Sequence, residues 1–181
     1  MAEGMTAAAR VEAALSGLGA SVSEEFGSTV ADVPRGKWAE ALGRLREACG
    51  LDWFDWLSAV DEMDRPEPGI RLVCRAQSAA DQSGVLVRTL LPADDLRAAT
   101  ATGVWAGACW HERETAEMFG VHFEGAASHD PLLLPAGFDG RPLRKDFGLA
   151  ARAERPWPGA VEPGSATPGR RRPPGLPAAP P

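Results

Sequence analysis

Along residues 6–18, Val11, Ala14, Leu15 and Leu18 return at three- and four-residue spacing, the period of a helix that buries one face, and Gly17 and Gly19 mark its end. The next run, "STVADVP", alternates well enough for a strand and is closed by Pro34, whose missing N–H stops a ladder. Residues 37–49 go back to helical spacing. Trp38, Ala41, Leu42, Leu45 and Cys49 share one face, Arg44, Arg46 and Glu47 lie largely off it, and Gly50 supplies the stop. "LDWFDWLSAVDEM" fits a helical turn or a strand, and its aromatic residues call for burial in either. "GIRLVCRAQ" and "SGVLVRTLL", β-rich runs separated by polar residues and Gly84, predict an antiparallel pair. "PADDLRAAT" places acids where the first turn of a helix favours them, and a further helix is expected from about Thr102 or Trp110 to Phe119, capped by Gly120.

Beyond Gly120 no period is sustained, because Gly and Pro recur every few residues through "VHFEGAASHDPLLLPAGFDGRPLRKDFGL". Leu132, Leu133, Leu134, Phe138, Leu143, Phe147 and Leu149 are too many apolar groups to leave in water. The segment is therefore expected to be irregular yet laid against a surface, its own domain's or another chain's. After Ala150 the composition turns to Pro, Gly, Ala and Arg, which cannot bury enough to offset the entropy of ordering. The pattern divides the chain into an α+β domain at residues 1–120, an extended docking arm at 121–150 and a disordered Pro- and Arg-rich tail at 151–181. The fold class expected is α+β, a two-layer mixed sheet with packed helices.

Composition adds limits on partners. With 181 residues, 44% hydrophobic and 24% charged, the chain reads as one soluble globular domain plus appendages. Its net charge of −6 conceals a division: the segment after Ala150 is +3, leaving −9 for the rest. An acidic body gives no electrostatic reason to expect nucleic acid or an anionic membrane as the main partner. Cys49, Cys74 and Cys109 are far apart and form no C-x-x-C pair, which disfavours a disulfide framework or a cluster cradle and predicts three reduced thiols. No apolar run approaches the ~20 residues of a membrane span, and the N-terminus carries an acid where a signal peptide wants positive charge. Membrane association is expected only through a partner.

The densest chemistry sits in "WHERETAEMFG", residues 110–120. A zincin would need a second histidine where Thr115 stands, and a carboxylate-bridged site would need a matching helix with Glu-x-x-His. Glu114 and Glu117, three residues apart, are neighbours that could act as an acid/base pair. Against that, Arg113 and Glu117 at i and i+4 predict an intrahelical ion pair that uses two of the charges without chemistry. Gly17 and Gly19 lack the third glycine of a dinucleotide fingerprint, and there is no Walker A loop or G-x-S-x-G elbow. A second charged knot, "GRPLRKDFGL", sets Arg141, Arg144 and Lys145 near Asp146 and reads as locally extended and strongly cationic. Its flanking Phe138, Phe147 and Leu149 point to docking.

"WHERETAEMFGVHFEG" followed about twenty residues on by "RPLRKDF" resembles the signature of the C-type, 30 kDa subunit of proton-translocating NADH-quinone oxidoreductase, respiratory complex I. The first motif falls on Trp110, Glu112, Arg113, Glu114, Glu117, Phe119, Gly120 and Val121, the second on Pro142, Leu143, Arg144, Lys145, Asp146 and Phe147. Three positions depart from the family's pattern. Glu117 stands where Asp is usual, Arg141 where many members have His, and "GAASHDPLLLP" lacks a His-Pro step with a pair of arginines. The resemblance implies a non-catalytic structural subunit of the peripheral arm, on the cytoplasmic face of the cell membrane. It would hold no flavin, cluster or quinone, since NADH, FMN, iron-sulfur clusters and quinone are handled by other subunits. It would dock chiefly on the quinone-site, 49 kDa-type subunit. Glu112, Arg113 and Glu114 would fix the helix against the following loop, and Arg144, Lys145 and Asp146 would clamp the neighbour. The equivalent subunit of a membrane-bound hydrogenase or F420-type dehydrogenase is the alternative. A free-standing hydrolase using Glu114 and Glu117 is a second.

Overall fold

The computed structural model describes residues 6–148. Helix α1 (Ala7–Ala14) is followed by strands β1 (Ser21–Glu25) and β2 (Ser28–Asp32), then helix α2 (Trp38–Cys49) behind a single 3-10 turn. Strands β3 (Trp53–Asp61), β4 (Gly69–Gln77) and β5 (Gly84–Pro92) come next. A short strand β6 (Arg97–Ala99), helix α3 (Ala108–Phe119) and strand β7 (His122–Glu124) complete the order. The architecture is the α+β expected: a five-stranded mixed sheet in the order β1-β2-β5-β4-β3, with β2 and β5 parallel and the other pairs antiparallel.

Local sequence explains most element boundaries. Thr6 caps α1 by accepting from the Ala9 N–H at 3.2 Å. The helix stops at Ala14, before the glycines, and the chain turns through Gly17 and Gly19, both at positive φ, while Leu15 and Leu18 stay buried. α2 buries Trp38, Ala41, Leu42, Leu45 and Cys49, the face read from its spacing, and ends at Gly50 in the left-handed conformation. The aromatic run resolves as strand β3, bulged between Phe54 and Trp56. β4 and β5 form the antiparallel pair foreseen.

The register shows which sheet face is covered. Leu57, Ile70, Leu72, Cys74, Ala76, Val85, Val87, Leu91 and Ala31 point one way and join the buried faces of α1 and α2 in a single core. Each fully buried leucine there contributes roughly 1.5–3 kcal/mol over leaving it exposed. On the other face Arg88 grips Glu25 with two bonds of 2.9 Å and Asp32 at 2.5 Å, while Arg71 reaches Glu62 at 2.9 Å. Val30 and Val73 are buried on this face but lie outside the core cluster, so the second face is sheltered by its own ion-pair lattice and not by another helix.

One expected element needs correction. "PADDLRAAT" is not the start of a helix: Pro92 ends β5, a turn closes with Asp95 N–H donating to the Pro92 carbonyl, and Arg97–Ala99 pairs in parallel with β7. Burial of Ala98 against Phe123 outweighs the local preference of the acids. β1 went unread because "SVSEE" offers one apolar residue, Val22, and so no alternation. Val121 and Phe123, at the start of the expected arm, are buried in the core cluster. The expected tail at 151–181 lies outside the described residues.

Candidate functional site

α3 runs beside the outer edge of β3. Its N-terminal Gly107 lies near Phe54, and His111 Nδ1 is 3.2 Å from the Leu57 carbonyl and 3.4 Å from the Leu57 N–H. Phe54 packs edge-on against His111 and tilted against Trp105. These contacts fix one side of α3 and leave the motif residues for the loops before and after it.

Glu112, 2% exposed, serves the loop before the helix. It accepts from the Thr100 hydroxyl at 2.7 Å and the Ala101 N–H at 2.6 Å. Burial raises its pKa, only partly countered by those two bonds and by His129. Glu117 serves the loop after the helix, accepting from the N–H groups of Leu132 at 2.7 Å, Leu133 at 2.8 Å and Leu134 at 3.3 Å. Burial pushes its pKa up, but the three backbone donors and the nearby Arg113 together hold it below the ordinary range.

The Arg113–Glu117 ion pair expected from i, i+4 spacing does not form. Arg113 instead donates to the Asp130 carbonyl at 3.0 Å and the Pro131 carbonyl at 2.8 Å, with its guanidinium carbon 5.4 Å from the Trp110 ring centroid. The loop offers backbone partners to each charge separately, and a carboxylate with three N–H donors gains more there than from one exposed cation. Glu112 is likewise not a brace for the following loop, as its partners precede the helix. Glu114 is half-buried and makes no side-chain hydrogen bond or ion pair within the described residues. Trp110 is 57% exposed.

The second motif lies on the same side of the domain. Gly120 caps α3 at φ +81°, and a Cβ there would come within 3.2 Å of Arg141, whose guanidinium donates to the Glu117 carbonyl at 3.2 Å. Residues 141–147 are not extended. Arg144 N–H donates to the Arg141 carbonyl and Phe147 N–H to the Arg144 carbonyl, two successive turns with Pro142 placed where its fixed φ suits the first. Leu143 N–H bonds the Met118 carbonyl at 3.3 Å, and Lys145 N–H bonds buried Asp61 at 2.8 Å. Lys145 Nζ pairs with Asp64 at 2.8 Å, so this charge is matched within the chain. Phe147 stacks at 6.0 Å on Phe138.

The arm is thus pinned at its backbone while side chains remain outside: Leu133 at 59%, Phe138 at 41% and Leu143 at 53% exposure. Asp146 is exposed, and Arg144 has no carboxylate partner among the described residues. Asp61, at the end of β3, lies in a run that the sequence left open between a helical turn and a strand, and it received no role there. No group of three or more metal-ligating side chains clusters among the described residues, nor is any helix there long and apolar enough to cross a membrane. A shallow groove of ≈ 500 Å³ opens at the start of α3, but its Arg46 is committed to the Val104 carbonyl.

Known proteins are similar to this chain in sequence and in fold. The profile of the family described as respiratory-chain NADH dehydrogenase, 30 Kd subunit, matches residues 31–153. The C/D subunit of NADH-quinone oxidoreductase from Rhodopseudomonas palustris is 41% identical over 106 residues, 55% of this chain and 18% of that protein. The protein of the same name from Acinetobacter baumannii is 35% identical over 133 residues, 69% of this chain and 22% of its own length. The chain therefore spans about a fifth of the length of these curated relatives. Among solved structures, a trypsin-resistant fragment of Nqo5 superposes with a TM-score of 0.57 at 27% identity, covering 67% of this chain and 96% of the fragment. A chain of the membrane-bound sulfane sulfur reductase, an archaeal respiratory membrane complex, gives 0.61 at 25% identity, covering 78% and 85%. On this match of sequence and fold, the chain belongs to the respiratory-chain NADH dehydrogenase 30 kDa subunit family.

Proposed function

We propose that the chain is a non-catalytic structural subunit of the peripheral arm of an NADH-quinone oxidoreductase, on the cytoplasmic side of the membrane. It docks through α3 and the arm on the quinone-site, 49 kDa-type subunit. The observation that carries this is the division of labour in the two motifs: Glu117, Arg113 and Asp61 are occupied in bracing loop backbone, and the braced loop leaves Leu133, Phe138 and Leu143 exposed beside a half-buried Arg144 whose Nε has no hydrogen-bond partner among the described residues. A rigid apolar surface edged by an unpaired arginine suits a protein partner with a carboxylate to offer. The curated relatives carry C and D together in one name, which supports a D-type neighbour. NADH, FMN, iron-sulfur clusters and quinone are then the business of other subunits. Trp110, Glu114 and Asp146, without side-chain hydrogen bonds or ion pairs among the described residues, complete the proposed contact.

The hydrolase reading loses ground because Glu117 has its oxygens filled by three backbone donors, leaving Glu114 without a carboxylate partner for acid/base work. A second reading, the equivalent subunit of another membrane-bound respiratory assembly, stands beside the first on the strength of the sulfane sulfur reductase likeness. Affinity purification of the tagged chain from its native membrane separates the two by the chains that accompany it. Arg144→Ala is expected to lower recovery of the quinone-site subunit about tenfold, as loss of a buried interface arginine does, while the variant's own unfolding midpoint is unchanged. An intact complex with full quinone reductase activity in Arg144→Ala would overturn the assignment.

A further inference from the structure

The β1–β2 hairpin turns on two residues, Phe26 and Gly27, between the paired Glu25 and Ser28. Both have positive φ, +51° and +76°, the pattern of the primed turns that match strand twist and favour Asn-Gly. A phenylalanine in this conformation is a backbone outlier, and no packing inside the chain offsets the strain, because its side chain is 106% exposed. The hairpin beneath it is stiff: Arg88 holds Glu25 with two bonds of 2.9 Å and ties it to Asp32. The flank carries exposed Glu24 and no basic residue along "SVSEE".

Sheet order places this tip far from the arm. The arm meets β3 at Asp61, which pairs with Ile70 and through it with Leu91. The hairpin tip lies past Ser28, beside the opposite ends of β5, β4 and β3, where Gly84, Gln77 and Trp53 sit, and on the other margin of the sheet. Strand spacing and rise put about 30 Å between the two points.

We propose that Phe26 is a pre-formed aromatic knob that seats in an apolar pocket with a cationic rim on a second protein of the assembly, distinct from the subunit that receives the arm. This rests on the subunit reading above. A protruding ring on a clamped hairpin loses little freedom on binding, the condition under which a single aromatic anchors an interface. Glu24 supplies the charge that the rim answers.

Full-length chain and assembled complex, with wild type beside Phe26→Gly and Arg144→Ala, test it. Phe26→Gly is expected to raise the unfolding midpoint of the free chain by about 2 °C, since glycine accepts the turn without strain. The same change should cut the amount of one stoichiometric chain of the purified complex about tenfold while the quinone-site subunit stays. Unchanged composition of the Phe26→Gly complex would overturn the proposal, as would a lowered midpoint or loss of the quinone-site subunit itself. Failure of Arg144→Ala alone strikes the arm's partner and leaves the hairpin's untouched.

Discussion

Glu112 and Glu117, on one helix but turned toward different loops, show how much a single carboxylate depends on what its loop supplies. Glu117→Gln replaces an acceptor of three N–H groups by an amide that turns a donor toward them, and is expected to destabilise the chain by roughly 1–3 kcal/mol, read as a drop in midpoint on thermal unfolding. Because the folded-state pKa of Glu117 is depressed, its contribution is present above the ordinary glutamate range and is lost as pH falls through the folded value. Glu112 has the opposite sign. Its pKa is raised by burial, so the folded state binds the extra proton and stability declines as pH rises from the unfolded value through the folded one. Glu112→Gln should flatten that decline at small cost, whereas Glu112→Ala should cost about 1–3 kcal/mol by stranding the Ala101 N–H and the Thr100 hydroxyl. Unfolding midpoints between about pH 4 and pH 8 separate the three proteins. The sequence made the importance of these acids legible through charge density. It concealed their partners, because a spacing rule sees Arg113 four residues from Glu117 and cannot see three loop amides at 132–134.

At the scale of elements, α3 and the arm form one unit held by backbone groups. Asp61→Ala removes the acceptor of the Lys145 N–H and of the Met63 N–H and is expected to loosen residues 141–147 without unfolding the sheet. Limited trypsin digestion should then cut after Arg144 or Lys145 several-fold faster than in wild type, with the unfolding midpoint lowered by the roughly 1–3 kcal/mol that two stranded N–H groups cost; equal cleavage rates would count against the clamp. The exposed Lys145–Asp64 pair contributes little by comparison. Elements with their own strong period, α2 and the β4–β5 pair, were readable from residues alone. β6 and β7 were not, since each is three residues long and exists only because the other lies beside it. Turns at 141–147 replaced the extended segment for a similar reason: the hydrogen bonds that fold it run to Met118 and Asp61, far away in sequence.

The whole molecule has a centre that chemistry can report on. Cys74 is fully buried on the covered face, and burial pushes its thiol up to about 12. Cys49 is also raised by burial, and Cys109 is the half-exposed one. Thiol titration at about pH 8 is expected to modify Cys109 first and Cys74 only at the rate of global opening, so that its labelling tracks added denaturant. Overall fold class was legible because one face of β4 and most of the same face of β5 are apolar. The second face was not, because Arg71 and Arg88 look like ordinary surface charge until the register sets them over Val30 and Val73.

His111 astride the outer edge of β3 also bears on how the chain keeps while it waits for its partners. An open strand edge is a template on which further chains can add, and a histidine bonding the Leu57 peptide occupies that template. Among the described residues the five-stranded sheet then has one uncovered margin, β1, where exposed Glu24 sets a like charge against any second copy arriving in register, Glu25 being paired with Arg88. Orphaned chains are therefore protected at one margin by a helix and at the other by repulsion, and the second protection weakens in strong salt or at acid pH. Storage near neutrality at low ionic strength is the condition that keeps this edge guarded.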